Sequence, residues 1–97
     1  MPTYISLINW TDQGIRNVKE LPSRLDAARA AAREAGGDLK DTYMTMGAYD
    51  VVAITEFPSD EAAATFALRA GALGNIRTTT LKAFPEEETR KIIGALP

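Results

Sequence analysis

The stretch that most constrains this chain runs from Thr42 to Phe57. Alternating Tyr43 and Thr45 with their methionine neighbours lead into Gly47-Ala48-Tyr49-Asp50. An apolar, β-branched run, Val51-Val52-Ala53-Ile54, follows and is closed by Pro58. The pattern reads as two strands folded about a short turn. Successive strand residues point to opposite faces, so four consecutive apolar positions imply a strand covered on both faces. One cover can come from the chain's own helices. The other must come from elsewhere.

Tyr4-Ile5-Ser6-Leu7-Ile8-Asn9-Trp10 repeats the signature: its two side-chain sets are both largely apolar. Thr11 and Asp12 offer oxygen acceptors to a helix start, and Ile15, Val18 and Leu21 keep helical spacing up to Pro22. Proline lacks an amide hydrogen and is expected to break or jog the helix there. Ser23-Arg24-Leu25-Asp26 resembles a capping signal that restarts it. The stripe Leu25, Ala28, Ala32, Ala35 has the helical period, with alanines small enough to let a helix lie close on a sheet, and Gly36-Gly37 ends it. Leu39 to Met46 forms the more polar arm of the hairpin. After Pro58, Ser59 or Asp60 caps a second helix with the stripe Ala63, Phe66, Ala70, Leu73, ended by Gly74-Asn75. Ile76 to Phe84 is a threonine-rich last strand. Pro85 and three glutamates then open a terminal helix, their carboxylates opposing the positive end of its dipole.

The chain has 97 residues, 45% hydrophobic and 25% charged, a composition suited to one packed domain spanning residues 1–97. A net charge of −2 provides no basic field for nucleic acid. No apolar run reaches membrane-spanning length and nothing resembles a signal peptide, so the cytoplasm is the expected location. The chain contains no cysteine and no histidine. Disulfides, thiolate nucleophiles, imidazole bases and histidine-ligated haem are therefore outside its own repertoire. No metal site and no cofactor are expected.

The order strand, helix, strand, strand, helix, strand, with a helix appended, is the ferredoxin-like α+β pattern. Its usual strand order puts the first and third strands in the centre, which agrees with their being apolar on both faces. Both helices then cover one face. The other would expose Val/Ile-class side chains, a patch that monomers rarely tolerate. Pairing with a second sheet covers it and can close a barrel across two protomers, so a homo-oligomer of at least two copies is expected.

Three segments stand out: Thr11-Asp12-Gln13-Gly14-Ile15; Gly47-Ala48-Tyr49-Asp50-Val51-Val52 with Glu56-Phe57-Pro58-Ser59-Asp60; and Leu73-Gly74-Asn75-Ile76 through Phe84. Together they resemble the GYD domain family, named for its glycine–tyrosine–aspartate motif. The resemblance implies a ferredoxin-like fold of the dimeric α/β-barrel type and carries over no catalytic assignment. The wider barrel superfamily includes cofactor-free monooxygenases and isomerases, a fold-level analogy alone.

With the first and third strands taken as parallel, their carboxyl ends meet at one end of the sheet. That end would gather Trp10, Thr11, Gln13, Glu56, Asn75 and Arg77: an aromatic wall, a carboxylate, a guanidinium and amides suited to a small-molecule ligand. The structural alternative is an ordinary Glu56–Arg77 ion pair with Trp10 packed on a helix. Gly47, Tyr49 and Asp50 would lie at the opposite end, near Tyr4 and Phe84. There Tyr49 could donate to a ligand and Asp50 act as a base, or Asp50 could accept turn amides while Tyr49 packs at a protomer contact. Tyr43, Thr45, Thr78 and Thr80 are candidates to line a barrel interior. The leading functional expectation is a small-molecule-binding or interaction module without classical catalysis. The alternative is a cofactor-free isomerase or monooxygenase using Glu56, Arg77 and Tyr49.

Overall fold

The computed structural model describes residues 1–97. Strand β1 (Thr3–Trp10) leads through a short helix, α1 (Asp12–Arg16), and a single 3₁₀ turn (Val18–Glu20) into the long helix α2 (Leu21–Glu34). Strands β2 (Asp38–Met44) and β3 (Val51–Glu56), helix α3 (Asp60–Ala72), strand β4 (Ile76–Ala83) and helix α4 (Glu86–Gly94) follow. The four strands form one sheet in the order β2-β3-β1-β4, the ferredoxin-like arrangement anticipated from the sequence.

Pro22 acts differently from the expectation. It occupies the first turn of α2, where a missing amide hydrogen costs nothing. Ser23 is no cap; its hydroxyl donates to the Glu20 carbonyl from inside the helix. Ser59 does cap α3, accepting from the Ala62 amide. Gly36 and Gly74 adopt positive φ where α2 and α3 end.

The central strands run antiparallel, which overturns the parallel pairing expected above: Thr3 lies opposite Glu56 and Ile8 opposite Val51. The cause is topological. The helical crossover makes β2 run the same way as β1, and the hairpin then reverses β3. The carboxyl end of β1 therefore meets the amino end of β3, and Tyr49-Asp50 lies beside Trp10. Glu56 moves to the far end.

Register also assigns the faces. Tyr4, Ser6, Ile8 and Trp10 share one face with Val51, Ala53, Thr55 and the even residues of β4. Helices α2 and α3 lie over this face, α2 on the β2 side and α3 on the β4 side. The core sits towards the Glu56 end, where Tyr4, Ala32, Leu39, Ala53, Phe57 and Ala63 cluster. Phe57 is its anchor, 1% exposed, with its ring 5.1 Å from that of Phe66.

Candidate functional site

At the Trp10 end, the predicted ligand residues divide between three tasks. The first is a lock between the α1 start and the α3–β4 turn. The Thr11 amide donates to the Asn75 carbonyl at 3.1 Å and its hydroxyl donates to the Gly74 carbonyl at 2.6 Å. The Thr11 hydroxyl oxygen also caps α1, accepting from the Gly14 amide. Gln13 donates to the Leu73 carbonyl and to the Asn75 side-chain oxygen. Gly14 is buried against this turn so closely that a Cβ would stand 1.9 Å from the Asn75 carbonyl oxygen. Two segments distant in sequence thus fit each other, and glycine is required at the join. Thr11, Gln13 and Asn75 have these polar groups committed to one another and to the backbone.

The second task belongs to the hairpin turn. The Thr45 hydroxyl donates to the Tyr49 carbonyl, and the Thr45 amide donates to the Asp50 carbonyl. The Asp50 amide donates to the Ile8 carbonyl at 2.8 Å, while its carboxylate accepts from the Trp10 amide at 2.9 Å. Asp50 thus joins the turn to the end of β1 through both backbone and side chain. Its carboxylate thus accepts a strand amide in place of the turn amides expected, and does so at the Trp10 end, away from Tyr4 and Phe84. Gly47 has φ +136, and a methyl group added there would meet nothing within 4 Å, so its glycine answers to backbone conformation alone.

The third group is dispersed. Trp10 is on the helix-covered face, whereas Arg77, opposite Asn9, is on the other. Glu56 pairs in register with Thr3, six positions from Asn9, or about 20 Å along the sheet. It forms an ion pair with Lys40 at 3.8 Å. Neither a Glu56–Arg77 catalytic pair nor their ordinary ion pair exists. Of the threonine candidates, Thr78 and Thr80 are on the helix side, where Thr80 shares a hydrogen bond with Ser6. Tyr43, opposite Val52, is on the bare side.

The far end holds a cluster that sequence reasoning missed. The Tyr4 hydroxyl donates to the Asp60 carboxylate, and Lys82 lies 3.2 Å from the same group. Burial, reinforced by the hydrogen bond to Asp60, pushes the Tyr4 phenol from its usual 10.0 up to about 12. The hydrogen bond from Tyr4, followed by that from Lys82, holds Asp60 below its usual value. The cluster fastens the α3 start to β1 and β4. Its only sequence signal is an acidic residue directly after the Ser59 cap.

Two surfaces remain open. The bare sheet face carries Ile5, Leu7, Tyr43, Val52, Ile54 and Leu81 with no helix layered on it. Helix α4 is exposed throughout, with Ile92 and Ile93 46% and 59% exposed. On the covered face, a cleft of about 330 Å³ opens between α2, α3 and the sheet, lined at one end by Trp10. No helix is long and apolar enough to cross a membrane, and no acidic cluster suited to a metal ion is present.

Comparison with known proteins places these features. The GYD domain family model matches residues 4–93. A Thermus thermophilus protein named glutamine synthetase and cystathionine beta-lyase binding protein is 30% identical over 86 residues, covering 88% of this chain and 90% of the relative. The crystal structure of TTHA0845, also from Thermus thermophilus, superposes with a TM-score of 0.56 at 25% identity, covering 88% of this chain and 95% of that one. That of MtbAldR gives a TM-score of 0.69 at 14% identity over 88% of this chain. The chain spans about half of that protein, 52% of its length, and the likeness is one of fold. The motif lock, the hairpin turn and the family match over residues 4–93 agree: the chain belongs to the GYD domain family.

Proposed function

We propose that this chain is a protein-interaction module that works as a homodimer or larger assembly and binds metabolic enzymes. The observation that carries the reading is the bare sheet face. Its apolar side chains occupy the centre of a four-stranded sheet, and such a contiguous patch marks an association surface. Strands about 4.8 Å apart and about eight residues long give a face of roughly 500 Å² before side-chain relief is counted. With that relief it approaches the ~800 Å² per partner of an ordinary stable interface. Pairing two such faces closes a barrel across two protomers.

The partner class is suggested by the Thermus relative, whose name records binding to glutamine synthetase and cystathionine beta-lyase. The isomerase or monooxygenase alternative loses its constellation, because the antiparallel register separates Glu56 from Arg77 and from the Tyr49 turn. The test is biolayer interferometry with the full chain immobilised and purified glutamine synthetase and cystathionine beta-lyase from the same organism in solution. Saturable binding of either enzyme at micromolar or lower concentration supports the reading. Failure of both to bind rejects the partner class.

A further inference from the structure

The cleft under the helices has a chemistry of its own. Its sheet-side wall includes Ile8, Val51 and Ala53, while Ala28, Ala31 and Ala67 face it from the two helices. The alanine stripe expected to bring α2 close to the sheet does so only at the core end, where Ala32 is fully buried. Towards Trp10 the same small side chains leave space. At about 30 Å³ for each water-sized atom, a volume near 330 Å³ holds on the order of ten non-hydrogen atoms.

The charged side chains that line this space have one sign, each paired with a glutamate just outside it. Among all residues lining it, only Arg24 on α2 and Arg69 on α3 are charged, and no carboxylate reaches it. Their present partners are weak competitors: Glu20 and Glu34 are 67% and 70% exposed, at 3.0 and 3.7 Å. We propose that the cleft is a binding site for a small amphipathic carboxylate, its apolar body against Ile8 and Trp10 and its anionic head on Arg24, the less exposed of the two guanidiniums. A guanidinium presents a planar fork that matches a carboxylate, and a carboxylate of about eight carbons in all, on the order of ten non-hydrogen atoms, matches the space. The site is on the opposite sheet face from the association surface, so it stands or falls independently of the interaction reading.

Trp10 is the chain's sole tryptophan and lines the cleft, giving a built-in reporter. Titrating the full chain with octanoate, 1-octanol and octylammonium, followed by Trp10 emission, is expected to give saturable binding for octanoate. Octanol should bind at least tenfold more weakly and octylammonium more weakly still. Arg24→Gln should weaken octanoate about tenfold while leaving octanol unchanged. Ala67→Leu, which fills the space, should remove binding of both; should that variant fail to fold, the head-group series and Arg24→Gln decide alone. Absence of saturation with octanoate, equal binding of the amine, or unaltered binding in Arg24→Gln would each overturn the proposal.

Discussion

Replacing Gly14 with alanine tests the lock between the two family segments. The added methyl carbon would stand 1.9 Å from the Asn75 carbonyl oxygen and 2.9 Å from its carbon, both backbone atoms held by β4 and the Gly74 turn. Neither can yield as a flexible side chain would. Relief requires α1 to back away from the turn. That motion stretches the hydrogen bonds of the Thr11 amide and hydroxyl to Asn75 and Gly74. Overpacking costs about 1–3 kcal/mol, and weakening two hydrogen bonds adds about 1 kcal/mol each. A loss of about 3–5 kcal/mol is therefore expected, or about 12–40 °C in Tm for a domain of this size. Urea unfolding followed by circular dichroism measures the first figure, and thermal unfolding the second. A Gly14→Ala protein within about 0.5 kcal/mol of the parent, the usual range of an uninvolved surface change, would refute the lock.

Gly71→Ala is expected to act in the opposite direction. The site is helical with nothing near the new methyl, so stability should rise by up to about 1 kcal/mol in the same urea assay. The Tyr4–Asp60 pair makes a pH prediction at each end of the scale. Asp60 has its folded pKa lowered, so its contribution is present above the unfolded value of 3.8 and is lost as pH falls through the folded one. Tyr4 has its folded pKa raised from 10.0 to about 12, so its contribution is complete below pH 10 and fades between those two values. Tyr4→Phe should lower stability at neutral pH and flatten both limbs of the stability–pH curve in the same urea assay; unchanged limbs would sink this assignment. Glu56→Gln should change stability by less than about 1 kcal/mol, since its pair with Lys40 is partly exposed. A loss of several kcal/mol there would mean that Glu56 does more than the structure assigns to it.

The strands, the Ser59 cap, the glycine helix ends and the two-sided apolar character of β1 and β3 were legible because each is written in local pattern; the start of α2 at Leu21-Pro22 was not. Strand direction was not. Side-chain alternation has period two in parallel and antiparallel sheets alike, so the pattern of Val51 to Ile54 is silent on which way the strand runs. Direction follows from the crossover and the hairpin taken together, and reversing β3 exchanges the ends at which Glu56 and Asp50 lie. Thr11, Gln13 and Asn75 adjoin one another as parts of a backbone lock. Gly14, buried between them, could be recognised only with the Asn75 carbonyl in place. The Tyr4–Asp60–Lys82 cluster joins residues 22 to 78 positions apart in sequence and leaves no periodic trace. The alanine stripe of α2 was visible as a stripe, yet whether small side chains mean close packing or open space depends on how far the helix stands from the sheet.

The association surface is tested most directly by sedimentation equilibrium of the parent chain beside Ile54→Asp. Ile54 lies on the bare face of the central strand β3, opposite Ile5. A two-fold interface there buries two copies of the substitution. At about 3 kcal/mol for each unpaired carboxylate, the dimer should weaken by about 6 kcal/mol, or about four decades in Kd. The substitution leaves the helix-covered core untouched. The expected result is a parent of at least dimeric mass at micromolar concentration and an Ile54→Asp protein that is folded and monomeric. A parent chain that stays monomeric at every concentration, or an aspartate variant that assembles as the parent does, would contradict it.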